Sequence, residues 1–293
     1  MESFGQILQF AISVLSLGSL YALMALGLVV IYGILRLVNF AYGELIMVSG
    51  YTLYLLSGGP LPWLIMAFCA VLVAVFSSYL TERIAFRPVR ERSITAMLIT
   101  SFAVSTLFQN AALLFISPRA RLVPIPEVFS ETVTLAGVVI PMRSILAVVV
   151  CLALLVAFSV LLRRTILGIA LRAAADKFVM TRMLGVPANV VIGAAFAISG
   201  LLAGTVSLFW LGRIASVTPG IGLAPLLIAF IACVIGGLRS LIGAVVGGFV
   251  LASITVTFNM LLPQDLLEFR EAFTFTLVIL ILLFRPEGLI RGA

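Results

Sequence analysis

The sequence predicts an all-α protein, a polytopic bundle of about eight or nine transmembrane helices. The first observation is its composition: 63% of the 293 residues are hydrophobic and only 10% are charged, whereas soluble domains carry about 25% charged residues. The second is the length of the apolar segments, about 15–25 residues, without the alternation that marks the strands of a membrane β-barrel. Both observations favour helices that cross a membrane.

Eight apolar segments are long enough for a membrane-spanning helix of about 20 residues. They cover 7–32, 40–57, 61–82, 94–116, 142–162, 188–211, 240–262 and 270–284. A ninth segment, 223–236, is too short to span comfortably and is predicted to be a half-helix or a tilted helix. The proline-containing segment 117–141 is predicted to form an extended structure or a short hairpin on the outer side.

Basic residues are concentrated in loops on one side of this bundle. Most of the 18 Lys and Arg residues lie in 83–92, in 163–182 and in the C-terminal tail, together with Arg36 and Arg239. The positive-inside rule makes this side cytoplasmic, which also places the C-terminus inside. The net charge of +7 is therefore attributed to membrane orientation, and no nucleic-acid binding is expected.

The residue types argue against several kinds of chemistry. Histidine is absent from the sequence, which excludes a His-based metal or acid–base site. Cys69, Cys151 and Cys233 lie far apart within apolar segments, so buried structural cysteines are expected and no cofactor is predicted. Lys177 is the only lysine and follows "RAAAD", not the glycine-rich turn of a nucleotide-binding P-loop. The chain is therefore not predicted to be an enzyme, and ATP would be hydrolysed by another polypeptide.

The N-terminal apolar segment is expected to be a retained helix. It lacks the cationic start and the small-residue cleavage site of a secretory signal peptide. Three aromatic residues lie near the ends of predicted spans, where interfacial anchors are common: Trp63, Tyr79 and Trp210.

The cytoplasmic loop 163–187 is predicted to contain a short helix. Gly168 and an alanine-rich run open this helix, and Gly185 closes it, with Pro187 just beyond. Small side chains permit close approach of another backbone, so the helix suits docking into a groove on a second protein. An ordinary amphipathic connecting loop is the alternative.

This loop resembles the coupling segment of ATP-binding-cassette importer permeases, a Glu-Ala-Ala run followed by a glycine. The positions that match are Arg172, Ala174, Ala175, Asp176 and Gly185. The exact Glu-Ala-Ala is absent, as is usual in the branched-chain amino acid permeases. That subfamily also resembles the chain at "GLVVIYGILRLVNFAYGELIMVSGY" (27–51), "FIACVIGGLRSLIGAVVGGFVLA" (230–252) and "LLFRPEGLIRG" (282–292). One departure is Tyr42, where the family commonly has histidine.

The resemblance covers nearly the whole chain and implies the shorter permease subunit of such a system. It implies the importer permease fold, with one transmembrane permease domain over 1–293, in the inner membrane of a bacterial cell. The implied partners are separate ATPase subunits of two kinds, a second related permease subunit and an extracytoplasmic substrate-binding protein. Branched-chain or related amino acids are the implied substrates, with urea or short amides as the alternative. Pairing with a second copy of the chain stays open, and so does a stand-alone secondary transporter or channel.

The segment between the first two predicted helices carries the candidate translocation site. A carboxylate within a membrane span costs about 2.5–3.5 kcal/mol, so Glu44 is expected to face the helix bundle. Gly33, Gly43 and Gly50 would allow a break in the helix, as transporters use near substrate sites. The hypothesis is that Asn39, Tyr42 and Glu44 line the translocation path or its gate, where Glu44 meets a substrate ammonium group or a helix end. The alternative is a structural ion pair of Glu44 with Arg36 or another arginine.

Two pairs of glycines have the spacing that lets helices approach closely in lipid. They are Gly200 with Gly204 and Gly243 with Gly247. Packing within the chain is the simplest expectation, and contact with a second permease subunit is the alternative.

Overall fold

The computed structural model describes residues 2–90, 92–135, 138–238, 240–285 and 288–290. Ten α-helices lie within these residues: α1 Glu2–Leu35, α2 Tyr42–Leu56, α3 Trp63–Thr81, α4 Ile94–Phe115, α5 Met142–Arg164, α6 Ile166–Met183, α7 Ala188–Ile214, α8 Leu223–Gly236, α9 Leu241–Leu261 and α10 Arg270–Phe284. A π-helical turn, Glu82–Phe86, continues α3. The four short strands are β1 Arg121–Leu122, β2 Thr132–Leu135, β3 Val138–Pro141 and β4 Ser216–Val217.

Six of these helices are long and apolar enough to cross a membrane: α1, α3, α4, α5, α7 and α9. The prediction of a polytopic helical membrane protein is confirmed, since each predicted span coincides with a helix. Helices α2, α8 and α10 have 15, 14 and 15 residues. At 1.5 Å per residue each is about 22 Å long, shorter than a hydrocarbon core of about 30 Å. The estimate of eight or nine spans therefore counts helices too short to cross the bilayer upright.

The segment after α4 contains two kinds of strand pairing. Strands β2 and β3 form an antiparallel hairpin, in which Thr132 is paired with Pro141, and the predicted hairpin is thus present. Strand β1 pairs with β4, which follows α7, so that Arg121 lies opposite Val217. This second pairing joins segments far apart in the sequence, and nothing in the local pattern indicates it.

One compact unit contains Val30–Ile125 and Ala153–Leu227. Its closest helix pair is α3 with α7, and the two glycines of α7 lie where they touch. A methyl group at Gly200 would lie 2.7 Å from Ser78 Cβ, and one at Gly204 would lie 3.0 Å from Val71 Cα. Ser78 Oγ also donates a hydrogen bond of 2.6 Å to the carbonyl oxygen of Phe196. The two backbones are therefore in direct contact along this pair.

The other unit consists of the described residues of Met1–Val29, Pro126–Leu152 and Ile228–Ala293. Here the end of α8 and the start of α9 form a tight helical hairpin, which turns at Gly237 with a φ of 104°. A methyl group at Gly243 would lie 2.3 Å from the oxygen of Gly236, and one at Gly247 would lie 2.0 Å from the oxygen of Ala232. Only glycine fits at such contacts.

Helix α1 and the C-terminal segment complete this unit. A methyl group at Gly248 would lie 2.4 Å from the backbone nitrogen of Ala22, so α9 touches α1 directly. After α10, Leu289 N–H donates to the oxygen of Ile235 at 2.8 Å and Ile290 N–H to that of Gly236 at 3.2 Å. The last carbonyl groups of α8, which have no partner within their own helix, are thus satisfied by the C-terminal segment.

Because α3 and α7 are in direct contact, we expect Gly200→Ala to destabilise the protein, although alanine usually stabilises a helix relative to glycine. In an open helix this substitution would stabilise the protein by about 1 kcal/mol. Here the added methyl group would lie 2.8 Å from the oxygen of Ala74 and 2.9 Å from Val75 Cα. We expect Gly200→Ala to lower the free energy of unfolding by about 1–3 kcal/mol, measured as a lower thermal midpoint of the purified protein in detergent.

The matched control is Gly220→Ala, because no atom lies within 4 Å of a methyl group there. Its midpoint should stay at the wild-type value. An unchanged or raised midpoint for Gly200→Ala would contradict the direct contact between α3 and α7.

Candidate functional site

The candidate translocation residues follow a break between α1 and α2. Helix α1 ends at Leu35, and Arg36 takes the left-handed backbone conformation with a φ of 57°. Its N–H donates to the oxygen of Tyr32 at 2.8 Å, which closes the last turn. The predicted break is therefore present, but a non-glycine residue makes it. Such residues are uncommon at positive φ, so the sequence offered no signal for Arg36.

The three glycines that were expected to allow the break lie inside helices, and this part of the prediction is wrong. Gly33 belongs to α1, and Gly43 and Gly50 belong to α2. A methyl group at Gly43 would lie 2.2 Å from the oxygen of Gly222, the residue that precedes α8. One at Gly50 would lie 2.7 Å from Leu211 Cδ1 on α7. These glycines serve close packing rather than backbone freedom.

Asn39, Tyr42 and Glu44 are all buried, with exposed fractions of 3%, 0% and 2%. Asn39 orders the start of α2: its Oδ1 accepts from Ala41 N–H at 3.1 Å, and its carbonyl oxygen accepts from Tyr42 N–H at 3.1 Å. The turn held by Asn39 thus fixes the first residues of α2. Glu44 lies in the first turn of that helix.

The Glu44 carboxylate is held by two neutral donors on α4. Its Oε1 accepts from Ser105 Oγ at 2.9 Å and from Gln109 Nε2 at 2.6 Å. Its Oε2 is buried and has no hydrogen-bond partner in the described part of the chain. Ser105 and Gln109 are four residues apart, so they share one face of α4. They were not predicted from the sequence, although two polar residues at helical spacing in an apolar span are a usable signal.

The alternative pairing of Glu44 with Arg36 is wrong. The Arg36 guanidinium points elsewhere, and its Nη2 donates to the carbonyl oxygen of Ala175 on α6 at 2.8 Å. The carboxylate therefore lies among neutral donors and apolar groups rather than in an ion pair with this arginine.

Helix α6 has clear signals at both ends. Thr165 Oγ1 accepts from Gly168 N–H at 3.0 Å, which caps the helix N-terminus. At the other end Gly185 has a φ of 87°, and Val186 N–H donates to the oxygen of Thr181 at 3.3 Å, as in a Schellman motif. The helix expected in this loop is present and begins at Ile166, two residues before Gly168.

The two faces of α6 differ in exposure. Ala174 is buried and Ala175 half-buried, whereas Arg172, Asp176 and Gly185 are exposed. Exposed apolar side chains form an apolar stripe that these charged residues interrupt: Ile166 and Ile169 precede them, and Met180, Met183 and Leu184 follow them. This apolar stripe was not predicted, although the spacing of three residues in each group and of four from Met180 to Leu184 could have indicated it.

A buried ion pair lies next to the end of this loop. Glu82, in the π-helical turn, is 3.5 Å from Arg90 (Oε1 to Nη1), and Arg90 Nη2 also donates to Asn189 Oδ1. Asn189 is the second residue of α7. The arginine-rich segment after α3 is thereby connected to the helix that follows α6. These residues were not singled out from the sequence.

Comparison with known proteins gives a consistent result over almost the whole chain. The family described as "Branched-chain amino acid transport system / permease component" matches residues 10–283. The high-affinity branched-chain amino acid transport system permease protein BraD of Pseudomonas aeruginosa is 33% identical, over 97% of this chain and 95% of its own length. The corresponding protein LivH of Escherichia coli K12 is 30% identical over 99% and 97%. A probable LivH of Methanocaldococcus jannaschii is 25% identical over 92% and 88%.

Proposed function

The chain belongs to the family of permease components of branched-chain amino acid transport systems, and we propose that it is the transmembrane permease subunit of an ATP-binding-cassette importer. It moves branched-chain or related amino acids across the inner membrane of a bacterial cell, with its C-terminus in the cytoplasm. The observation that carries this proposal is the similarity to BraD, which extends over 97% of the chain. The relatives are transport permease components, and this chain has their length and their helical membrane fold.

The driving force comes from separate ATPase subunits, two different ones, that bind ATP on the cytoplasmic side. The sequence supports this division of labour, since its only lysine is not preceded by a glycine-rich turn. Helix α6 supplies a surface for the contact. Its exposed apolar stripe would be costly to leave in water and is typical of an interaction site. Arg172 and Asp176 are exposed between the two parts of the stripe and fix the orientation of the partner through charge.

A second, related permease subunit completes the pathway, and an extracytoplasmic binding protein delivers the substrate. Both partners are inferred from the family. The glycine contacts do not require a second permease, because Gly200, Gly204, Gly243 and Gly247 each lie against a helix or loop of the same chain. The second subunit would therefore pack against other faces, where apolar side chains of α4 such as Leu114 and Phe115 are exposed.

Glu44 is the residue proposed to meet the substrate ammonium group. One carboxylate oxygen is bound by Ser105 and Gln109, and the other is buried without a donor in the described part of the chain. A buried carboxylate oxygen without a partner is unfavourable. An ammonium group that enters during transport would supply the missing donor. Asn39 and Tyr42 lie just before it and fix the direction of α2.

Substrate-stimulated ATP hydrolysis tests the importer as a whole. The assembled complex with its binding protein, in liposomes, is screened with leucine, isoleucine, valine, small amides and urea. We expect the branched-chain amino acids to stimulate hydrolysis, because the relatives that share the fold carry this substrate class in their names. Stimulation by amides or urea alone would contradict the substrate class. Uptake of substrate by the purified chain without ATPase subunits would contradict the importer.

Charge on the apolar stripe of α6 should weaken the binding of the ATPase subunits. Met183 is 82% exposed, and Met183→Asp would place a carboxylate in an interface of apolar side chains. We expect at least about a tenfold loss of affinity, since truncation of interface anchors costs about 2 kcal/mol or more. Leu122→Asp is the matched control, because Leu122 is similarly exposed but lies between α4 and α5. Equal co-purification of ATPase subunits with both variants would contradict docking at α6.

Removal of the Glu44 charge separates a transport role from a structural one. Glu44→Gln keeps the shape of the side chain and an oxygen that can accept from Ser105 and Gln109. We therefore expect normal assembly and at least about a tenfold fall in uptake, from the loss of a charge-assisted hydrogen bond to the ammonium group. The control is Glu127→Gln, an exposed carboxylate in the segment between α4 and α5. Loss of assembly in Glu44→Gln would assign the residue to structure instead.

A further inference from the structure

One hydrogen bond connects α6 directly to the break between α1 and α2. Arg36 Nη2 donates to the carbonyl oxygen of Ala175 at 2.8 Å, across 139 positions of sequence. Gly33, one turn earlier on α1, is packed against the same residue: a methyl group there would lie 3.4 Å from Ala175 Cβ. The end of α1 therefore meets α6 at Ala175 through both a side chain and the backbone. All of these residues belong to one compact unit.

Arg36 makes this contact from a strained backbone conformation. A φ of 57° is unfavourable for a residue with a side chain, by about 1–2 kcal/mol, and glycine adopts it without that cost. A glycine at this position would suit the local backbone better but could not reach α6. The arginine side chain is thus held at a strained position from which its guanidinium reaches Ala175. Local strain of this kind is typical of functional segments.

The chain that follows Arg36 leads to the candidate translocation residues. Asn39 is buried and organises the first turn of α2 through Ala41 N–H and Tyr42 N–H. Glu44 follows in that turn and is held against α4 by Ser105 and Gln109. Seven residues therefore lie between Arg36, which makes the contact with α6, and Glu44, which carries the buried carboxylate. A displacement of α6 that pulls on Arg36 acts on the start of α2 through a short segment of defined structure.

We propose that Arg36 is a positioning residue that transmits the movement of α6 to the segment bearing Asn39, Tyr42 and Glu44. This inference rests on the proposed function, in which ATPase subunits move α6. Arg36 itself contacts neither the substrate nor the ATPase. Its guanidinium holds α6 and the break together, so that ATP-driven motion at one end changes the position of the other.

The test compares ATP hydrolysis with uptake in the same proteoliposomes, which contain the assembled complex, its binding protein and L-leucine as the probe. Arg36→Gly removes the guanidinium and relieves the strained backbone, so the fold is not expected to suffer. We expect the ATPase subunits to co-purify as in the wild type and the ATP hydrolysed per leucine taken up to rise at least about fivefold. Arg36→Lys keeps one donor at similar reach and should restore part of the coupling.

Arg92→Gly is the matched control, because Arg92 is an exposed loop arginine before α4. In this variant the ATP hydrolysed per leucine taken up should stay at the wild-type value. An unchanged ratio in Arg36→Gly would overturn the proposal, whether both activities persist or fall together. Loss of assembly in Arg36→Gly would also overturn it, because Arg36 would then serve folding. A wild-type complex in which leucine stimulates no hydrolysis would instead overturn the proposed function.

Discussion

Direct contact between helix backbones is the constraint on which this structure depends. Lipid is as apolar as the side chains it surrounds, so helices in a membrane gain little from hydrophobic burial against each other and rely on close packing. Glycines at Gly43, Gly200, Gly247 and Gly248 bring helices so near to another backbone that a methyl group would overlap it. Short hydrogen bonds then form across the same contacts, as between Ser78 and Phe196. The close pairing of α3 with α7 and of α8 with α9 follows from this packing.

Polar groups inside such a bundle need partners from the same chain, and the partners found here lie far apart in sequence. Glu44 is held by α4, Arg36 reaches α6, and Arg90 donates to Asn189 of α7. Each connection joins segments that are adjacent only in the folded protein. They also concentrate at the two regions that the proposed mechanism needs, the start of α2 and the surroundings of α6. The same hydrogen bonds thus satisfy the polar groups and connect the segments that the proposed mechanism moves.

The helices were predictable because length and apolarity identify a membrane span without reference to its neighbours. The ends of α6 were also well indicated, since Gly185 and Pro187 are local stop signals. The hydrogen bonds of Glu44 could not be derived in the same way, because Ser105 and Gln109 lie about sixty positions away, as the separations of 61 and 65 show. The break at Arg36 was misassigned to glycines for a related reason. A glycine pattern does not distinguish backbone freedom from close packing, and only the neighbouring helices decide between them.

The C-terminal segment has a consequence for the order in which the protein is completed during synthesis. The last carbonyl groups of α8 obtain donors from Leu289 and Ile290, which are translated after two further helices, α9 and α10. Helix α8 is inserted about fifty residues of translation earlier, as the sequence positions show. Until residues 289 and 290 have left the ribosome, those carbonyl groups must be satisfied by water or by a neighbouring group. The end of α8 therefore reaches its final hydrogen bonding late, however early the remaining helices have packed.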